Sequence, residues 1–114
     1  MARVPDRGDV IWLQFDPHAG SEQAGRRPAL VVSPKEYNGK VGLALCCPIT
    51  SHSKGYPFEV PLPAGSGVHG VVLCDQIKSL DWRVRRGQRI ASVADDVMQD
   101  VTGRILALVD PAMA

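Results

Sequence analysis

Short apolar runs, each closed by Gly, Pro, Asn or Asp, fill most of the chain ahead of its last twenty residues. Punctuation of this kind predicts strands joined by tight turns. The runs at residues 10–15, 29–33, 41–47, 58–62, 71–74 and 89–93 are the expected strands. In the fourth, Phe58, Val60 and Leu62 alternate with Glu59 and Pro61, the pattern of a half-buried strand, and Pro61 marks an edge or a bulge. Asn38-Gly39 reads as a hairpin turn, because both residues tolerate positive φ. The end of the chain changes period. Val97, Val101, Ile105, Leu108 and Val109 recur at spacings of three and four, with Asp95 or Asp96 as N-cap and Pro111 as the stop. Gly103 within it costs about 1 kcal/mol relative to Ala, so this helix depends on packing. The pattern as a whole predicts a small all-β barrel or sandwich with one C-terminal helix.

Composition narrows the class. At 114 residues with a net charge of +1, the expectation is one domain over 1–114, large enough for a cooperative core without disulfides. No apolar stretch approaches the roughly 20 residues of a membrane span, and the opening residues lack the apolar segment of a secretory signal, so the cytoplasm is the expected compartment. Three cysteines with no Cys-x-x-Cys pair give no zinc pattern. Adjacent Cys46 and Cys47 point to opposite faces of a strand, and all three thiols read as small core residues. The near-neutral total conceals a basic run, Lys78, Arg83, Arg85, Arg86 and Arg89, ahead of an acidic one. A local positive field of this kind suits an anionic partner, although such runs also serve as plain solvated faces.

Two polar segments stand apart from the barrel pattern. The connection from Asp16 to Pro28 is long for a small domain and delivers Glu22, Arg26 and Arg27 to a strand entrance. Arg27 precedes a proline, so its backbone is extended and its guanidinium leaves from a restricted position. In Pro48-Ile49-Thr50-Ser51-His52-Ser53-Lys54-Gly55-Tyr56, hydroxyls beside a cation form a candidate cradle for phosphate oxygens, or else an ordinary polar turn. Gly-x-Gly-x-x-Gly, P-loop, His-Glu-x-x-His and Gly-x-Ser-x-Gly motifs are all lacking, so no cofactor is expected. His18, His52 and His69 leave open a ribonuclease that uses paired imidazoles as acid and base.

These segments, together with Pro-Asp-x-Gly-Asp-x-Ile-Trp near the start, Gly20-Ser21-Glu22-Gln23-Ala24-Gly25-Arg26-Arg27-Pro28-Ala29, Tyr37-Asn38, Ser53-Lys54-Gly55-Tyr56-Pro57-Phe58-Glu59-Val60 and Asp75-Gln76-Ile77-Lys78-Ser79, strongly resemble the MazF/PemK family of toxin endoribonucleases. The resemblance spans nearly the whole chain and is nearer to the MazF branch. It implies a small SH3-like β-barrel with a C-terminal α-helix, assembled as a homodimer. It implies a metal-independent endoribonuclease cutting single-stranded RNA at short motifs, inhibited by a cognate MazE-like antitoxin. By the same resemblance Arg27 and Thr50 are catalytic, and Glu22 and Lys78 serve RNA binding or activity. Arg26 stands where some relatives carry His, and Gly65-Ser66-Gly67-Val68-His69 forms a version of its loop peculiar to this chain.

Chemically, cleavage without a metal is attack of a 2′-OH on the adjacent phosphorus, giving a 2′,3′-cyclic phosphate and a 5′-OH. A guanidinium offers a rigid fork to the five-coordinate phosphorus, and arginine is a poor proton acceptor near neutral pH, so Arg27 is expected as stabiliser, with a role as proton donor left open. Thr50, with Ser51, would hold a non-bridging oxygen. Glu22, water and a transiently neutral Arg27 remain open as acceptor of the 2′-OH proton. Lys54, Lys78 and the Arg83 to Arg89 run are the expected backbone cations, and Tyr37, Tyr56 and Trp82 the expected stacking platforms. The antitoxin is expected to lay an acidic, initially disordered tail into the basic groove. The alternative is a non-catalytic, gyrase-inhibiting toxin of the same fold.

Overall fold

A computed structural model describes residues 3–15, 25–110 and 112. Its elements in chain order are β1 (Asp9–Phe15), β2 (Gly25–Val31), α1 (Lys35–Val41), β3 (Ala44–Thr50), β4 (Glu59–Pro61), β5 (Val71–Leu73), a 3-10 turn (Cys74–Gln76), β6 (Lys78–Leu80), β7 (Gln88–Ser92) and α2 (Asp95–Val109). The strands form one seven-stranded sheet in the order β4-β5-β3-β2-β1-β7, with β6 also pairing β3. All of these pairings are antiparallel. The mainly-β class and the C-terminal helix match the sequence pattern.

Alternation along β2 and β3 serves two cores. Leu30, Cys47 and Ile49 join Val10, Val60, Val72 and Cys74, closed over by Val97, Met98 and Val101 of α2. Ala29, Val31, Ala44 and Cys46 face the other way, onto Ile11, Leu13, Leu80 and Trp82. β1 alternates in the same way, with Val10 in the first core and Ile11 and Leu13 in the second, and its pairing with β7 shifts register between Val10 and Ile11. The three thiols are buried and free, as expected of core residues.

Three local expectations are corrected. Asn38-Gly39 lies inside α1 and makes no hairpin. The Asn38 side chain is 0% exposed, donates to the carbonyls of Pro5 and Ser33 at 2.9 Å and accepts from Ser33 Oγ, and α1 ends at Gly42 in the left-handed region. Tertiary hydrogen bonds thus override the local turn signal. The N-cap of α2 is Ala94, and Asp95 and Asp96 fill the first turn, where negative charge suits the helix dipole. Glu59 is buried at 8% exposure, its carboxylate absorbed by hydrogen bonds.

β3 changes partner midway. Ala44–Cys46 pair with β6, whereas Ile49 and Thr50 pair with β5, and Pro48, which has no N–H to donate, falls at the fork. The 3-10 turn bridges β5 to β6 across this gap. The fork opens a cleft.

Candidate active site

The cleft has a volume of about 400 Å³. β2 contributes Arg27, and the end of β3 contributes Pro48, Ile49 and Thr50. The loop after β3 adds His52, Lys54 and Tyr56, and the opposite wall carries Leu73, Gln76 and Lys78. Ala29 pairs with Pro48 in the antiparallel β2–β3 ladder; Arg27 stands two residues before Ala29 and Thr50 two residues after Pro48, on the same side of that pair, so the backbone itself sets the spacing between them. Arg26, one step earlier, faces away and reaches the Arg86 carbonyl and the Gln88 amide. Among the described residues no side chain accepts a hydrogen bond from the Arg27 guanidinium or from the Lys54 and Lys78 ammonium groups, and no carboxylate lines the cleft. Three cations therefore surround an open space.

Thr50 is oriented from two sides. Its Oγ1 accepts the backbone N–H of His52 at 3.2 Å, which leaves the hydroxyl hydrogen to donate into the cleft. Behind it, Gly70 passes so close that a Cβ there would lie 2.3 Å from the Thr50 carbonyl oxygen. Tyr56 donates its hydroxyl to Asp75 at 2.9 Å, tying the loop to the 3-10 turn, and this bond together with the nearby carboxylates raises its pKa. Ser53 Oγ and the backbone amides of Lys54 and Gly55 all converge on Glu59, which pull its pKa down.

The structure gathers Arg27, Thr50, Lys54 and Lys78 and leaves other expected residues outside. Trp82, expected as a stacking platform, is 1% exposed, donates Nε1–H to the Asn38 carbonyl and carries Arg83 on its face at 4.8 Å, so no base can stack on it. The Arg83 to Arg89 run does not line the cleft. Arg83 donates to the Gly39 carbonyl, Arg85 to that of Gln14, and Arg89 pairs with Asp9 at 3.2 Å. Ser51 is exposed and off the cleft lining. Tyr37 sits on α1, also away from the cleft. Glu22 and His18 lie outside the described residues. His52 lines the cleft and His69 does not, so this pair is not assembled as acid and base. Gln76 and Glu59 went unassigned in the sequence. Glu59 did carry a signal, a carboxylate inside an apolar alternation four residues after a glycine.

The sequence profile of the PemK-like, MazF-like toxins of type II toxin–antitoxin systems matches residues 6–109. The chain belongs to the PemK/MazF toxin family. The endoribonuclease toxin MazF of Escherichia coli K12 is 52% identical over 106 residues, covering 93% of this chain and 95% of the relative. The endoribonuclease toxin ChpB of the same strain is 40% identical over 110 residues, covering 92% and 94%. Among solved structures, a MazE–MazF complex from Deinococcus radiodurans superposes with a TM-score of 0.88 at 56% identity, covering 95% of this chain and 97% of that one. MazF alone from the same organism gives 0.87 at 56%, covering 95% and 98%. Among the described residues no helix is long and apolar enough to cross a membrane.

Proposed function

We propose that this PemK/MazF family chain is the toxin of a type II toxin–antitoxin pair and an endoribonuclease that cuts single-stranded RNA at the Arg27–Thr50 cleft. The observation that carries the reading is the cluster of three cations, Arg27, Lys54 and Lys78, around an oriented threonine hydroxyl, at the fork of β3. The RNA backbone supplies the matching anion. In the proposed reaction the 2′-oxygen forms a bond to phosphorus, the bond from phosphorus to the 5′-oxygen breaks, the 2′-OH gives up its proton and the departing 5′-oxygen gains one. The products are a 2′,3′-cyclic phosphate and a 5′-OH end. Arg27 forks onto the phosphorus oxygens as their charge grows, and Thr50 donates to a non-bridging oxygen and fixes the in-line approach. Lys54 and Lys78 hold the flanking phosphates, and Tyr56, half-buried on the wall, offers a face for a base.

The partners follow the same logic. An acidic tail of a MazE-like antitoxin would neutralise the same cations, and the Deinococcus complexes show family members assembled with MazE. A homodimer and a cytoplasmic location complete the reading. The relatives named above are endoribonucleases, and nothing favours the gyrase-inhibiting alternative. The test is incubation with a long mixed-sequence single-stranded RNA in the presence of EDTA, beside Arg27→Ala, with the ends mapped. Recurrent cuts bearing cyclic phosphate are expected, reduced on the order of 10²- to 10³-fold or more in the variant. Undiminished cleavage by a folded Arg27→Ala protein would remove Arg27 from the reaction.

A further inference from the structure

The loop that carries Lys54 into the cleft has no strand or helix of its own to hold it. Tyr56 and Pro57 tie its far end to Asp75 and Arg104, and its Ser53–Gly55 stretch is anchored by one side chain at the start of β4. Glu59 Oε1 accepts Ser53 Oγ–H at 2.8 Å and the Gly55 N–H at 3.0 Å, and Oε2 accepts the Lys54 N–H at 2.9 Å. Two consecutive backbone amides aimed at one anion form a concavity of the kind that binds phosphate, here filled by the protein's own carboxylate. Gly55 makes this feasible with φ +76, in the left-handed region, and no atom lies within 4 Å of where its Cβ would be. Glu59 is itself held by the sheet: its backbone N–H donates to the Tyr56 carbonyl at 3.1 Å, Val60 sits in the core, and the Phe58 carbonyl accepts from Cys74. It does not line the cleft.

We propose that Glu59 is a positioning residue for RNA binding, which fixes the Ser53–Lys54–Gly55 backbone so that the Lys54 ammonium is held ready for a phosphate flanking the scissile one. The proposal rests on the functional reading above. Its physical content is pre-organisation. Ordering the loop in advance spares RNA binding that entropic cost, so the carboxylate acts on affinity through Lys54 and leaves the chemistry at Arg27 and Thr50 alone. A purely structural role would lower stability without regard to which residue stands at 54.

The test is a double-mutant cycle on the full chain, using a short RNA bearing a cleavage site mapped with the wild-type protein. KM and kcat are measured for wild type, Glu59→Gln, Lys54→Ala and the double variant, each checked for folding by circular dichroism. Glutamine keeps the shape and loses the second acceptor oxygen. Each single change is expected to raise KM about tenfold, the worth of one charge-assisted contact, with kcat within about twofold. The double variant is expected to be no worse than Lys54→Ala. Additive losses, or a fall in kcat with KM unchanged, would overturn the proposal. Should Glu59→Gln fail to fold, Ser53→Ala removes one donor and leaves the carboxylate in place, and its smaller rise in KM must vanish in the Lys54→Ala background or the proposal falls. Wild-type protein that cleaves while the cycle is additive refutes the positioning role alone, whereas wild-type protein that neither binds nor cleaves RNA refutes the functional reading and this inference with it.

Discussion

Gly70→Ala is expected to damage the cleft through the backbone, from a position that contributes no side chain to it. Gly70 has φ +133, a conformation that L-residues rarely adopt, and its missing Cβ would sit 2.3 Å from the Thr50 oxygen, 2.9 Å from the Thr50 carbonyl carbon and 3.4 Å from Ile49 Cγ2. Backbone strain at such an angle costs about 1–3 kcal/mol, and forcing a methyl against packed atoms costs about 1–3 kcal/mol more. At about 4 °C per kcal/mol for a chain of this length, a loss of ~4 kcal/mol lowers Tm by about 15 °C. The obstructing atoms are main chain, so relief requires Thr50 to shift, and a displacement near 1 Å costs on the order of 10²-fold in rate. Thermal melts by circular dichroism give the first quantity, and RNA cleavage well below the melting range of the variant gives the second. Gly65→Ala is the control: φ is +88 with nothing within 4 Å, so only the strain remains and turnover is expected to hold. A Gly70→Ala protein that melts within about 2 °C of wild type, or that cleaves at the wild-type rate, would refute this account.

Three cations on the cleft predict that affinity for a non-cleavable 2′-O-methyl RNA falls with salt at a log–log slope of about −2, at roughly 0.7 per phosphate, and that Lys54→Ala makes the slope shallower by about 0.7. Filter binding between low and moderate salt measures both, and an unchanged slope in the variant would place Lys54 off the backbone. Burial pushes the Cys46 and Cys47 thiols up to about 12 from an ordinary 9.0. The folded chain then holds protons that the unfolded chain releases, so their contribution to stability is intact below pH 9 and is lost as pH rises toward 12. Denaturant melts across that range should show declining midpoints, and native protein at pH 8 should resist alkylation until denaturant is added. Rapid labelling of the native protein would contradict the burial.

Where a residue's place is set by the alternation of its own strand, the sequence was sufficient. Arg27 beside Pro28 and Thr50 after Pro48 are legible as cleft residues because the prolines restrict the backbone on either side, and the resemblance supplied the roles proposed for them. What the sequence concealed was decided by partners far along the chain. Asn38-Gly39 carries a hairpin signal that loses to hydrogen bonds donated by Ser33 and Trp82 and accepted by the Pro5 carbonyl. Trp82 looks like a stacking surface until the second core closes over it. The arginines after it look like a nucleic-acid face until each carbonyl and carboxylate they meet is known. β6, three residues with two exposed, has too little apolar pattern to announce itself. Glu59 is the opposite case, a charged residue whose burial follows from two amides and a hydroxyl that only the folded loop brings together.

The neighbouring thiols Cys46 and Cys47 look into different cores because β3 is the wall that both share. Such a wall allows neither side to melt alone. Loss of one core removes the surface on which the other is assembled, and the ladder to β2, β5 and β6 goes with it. Unfolding should therefore be a single event, reported with one midpoint by tryptophan fluorescence and by the reactivity of the three buried thiols.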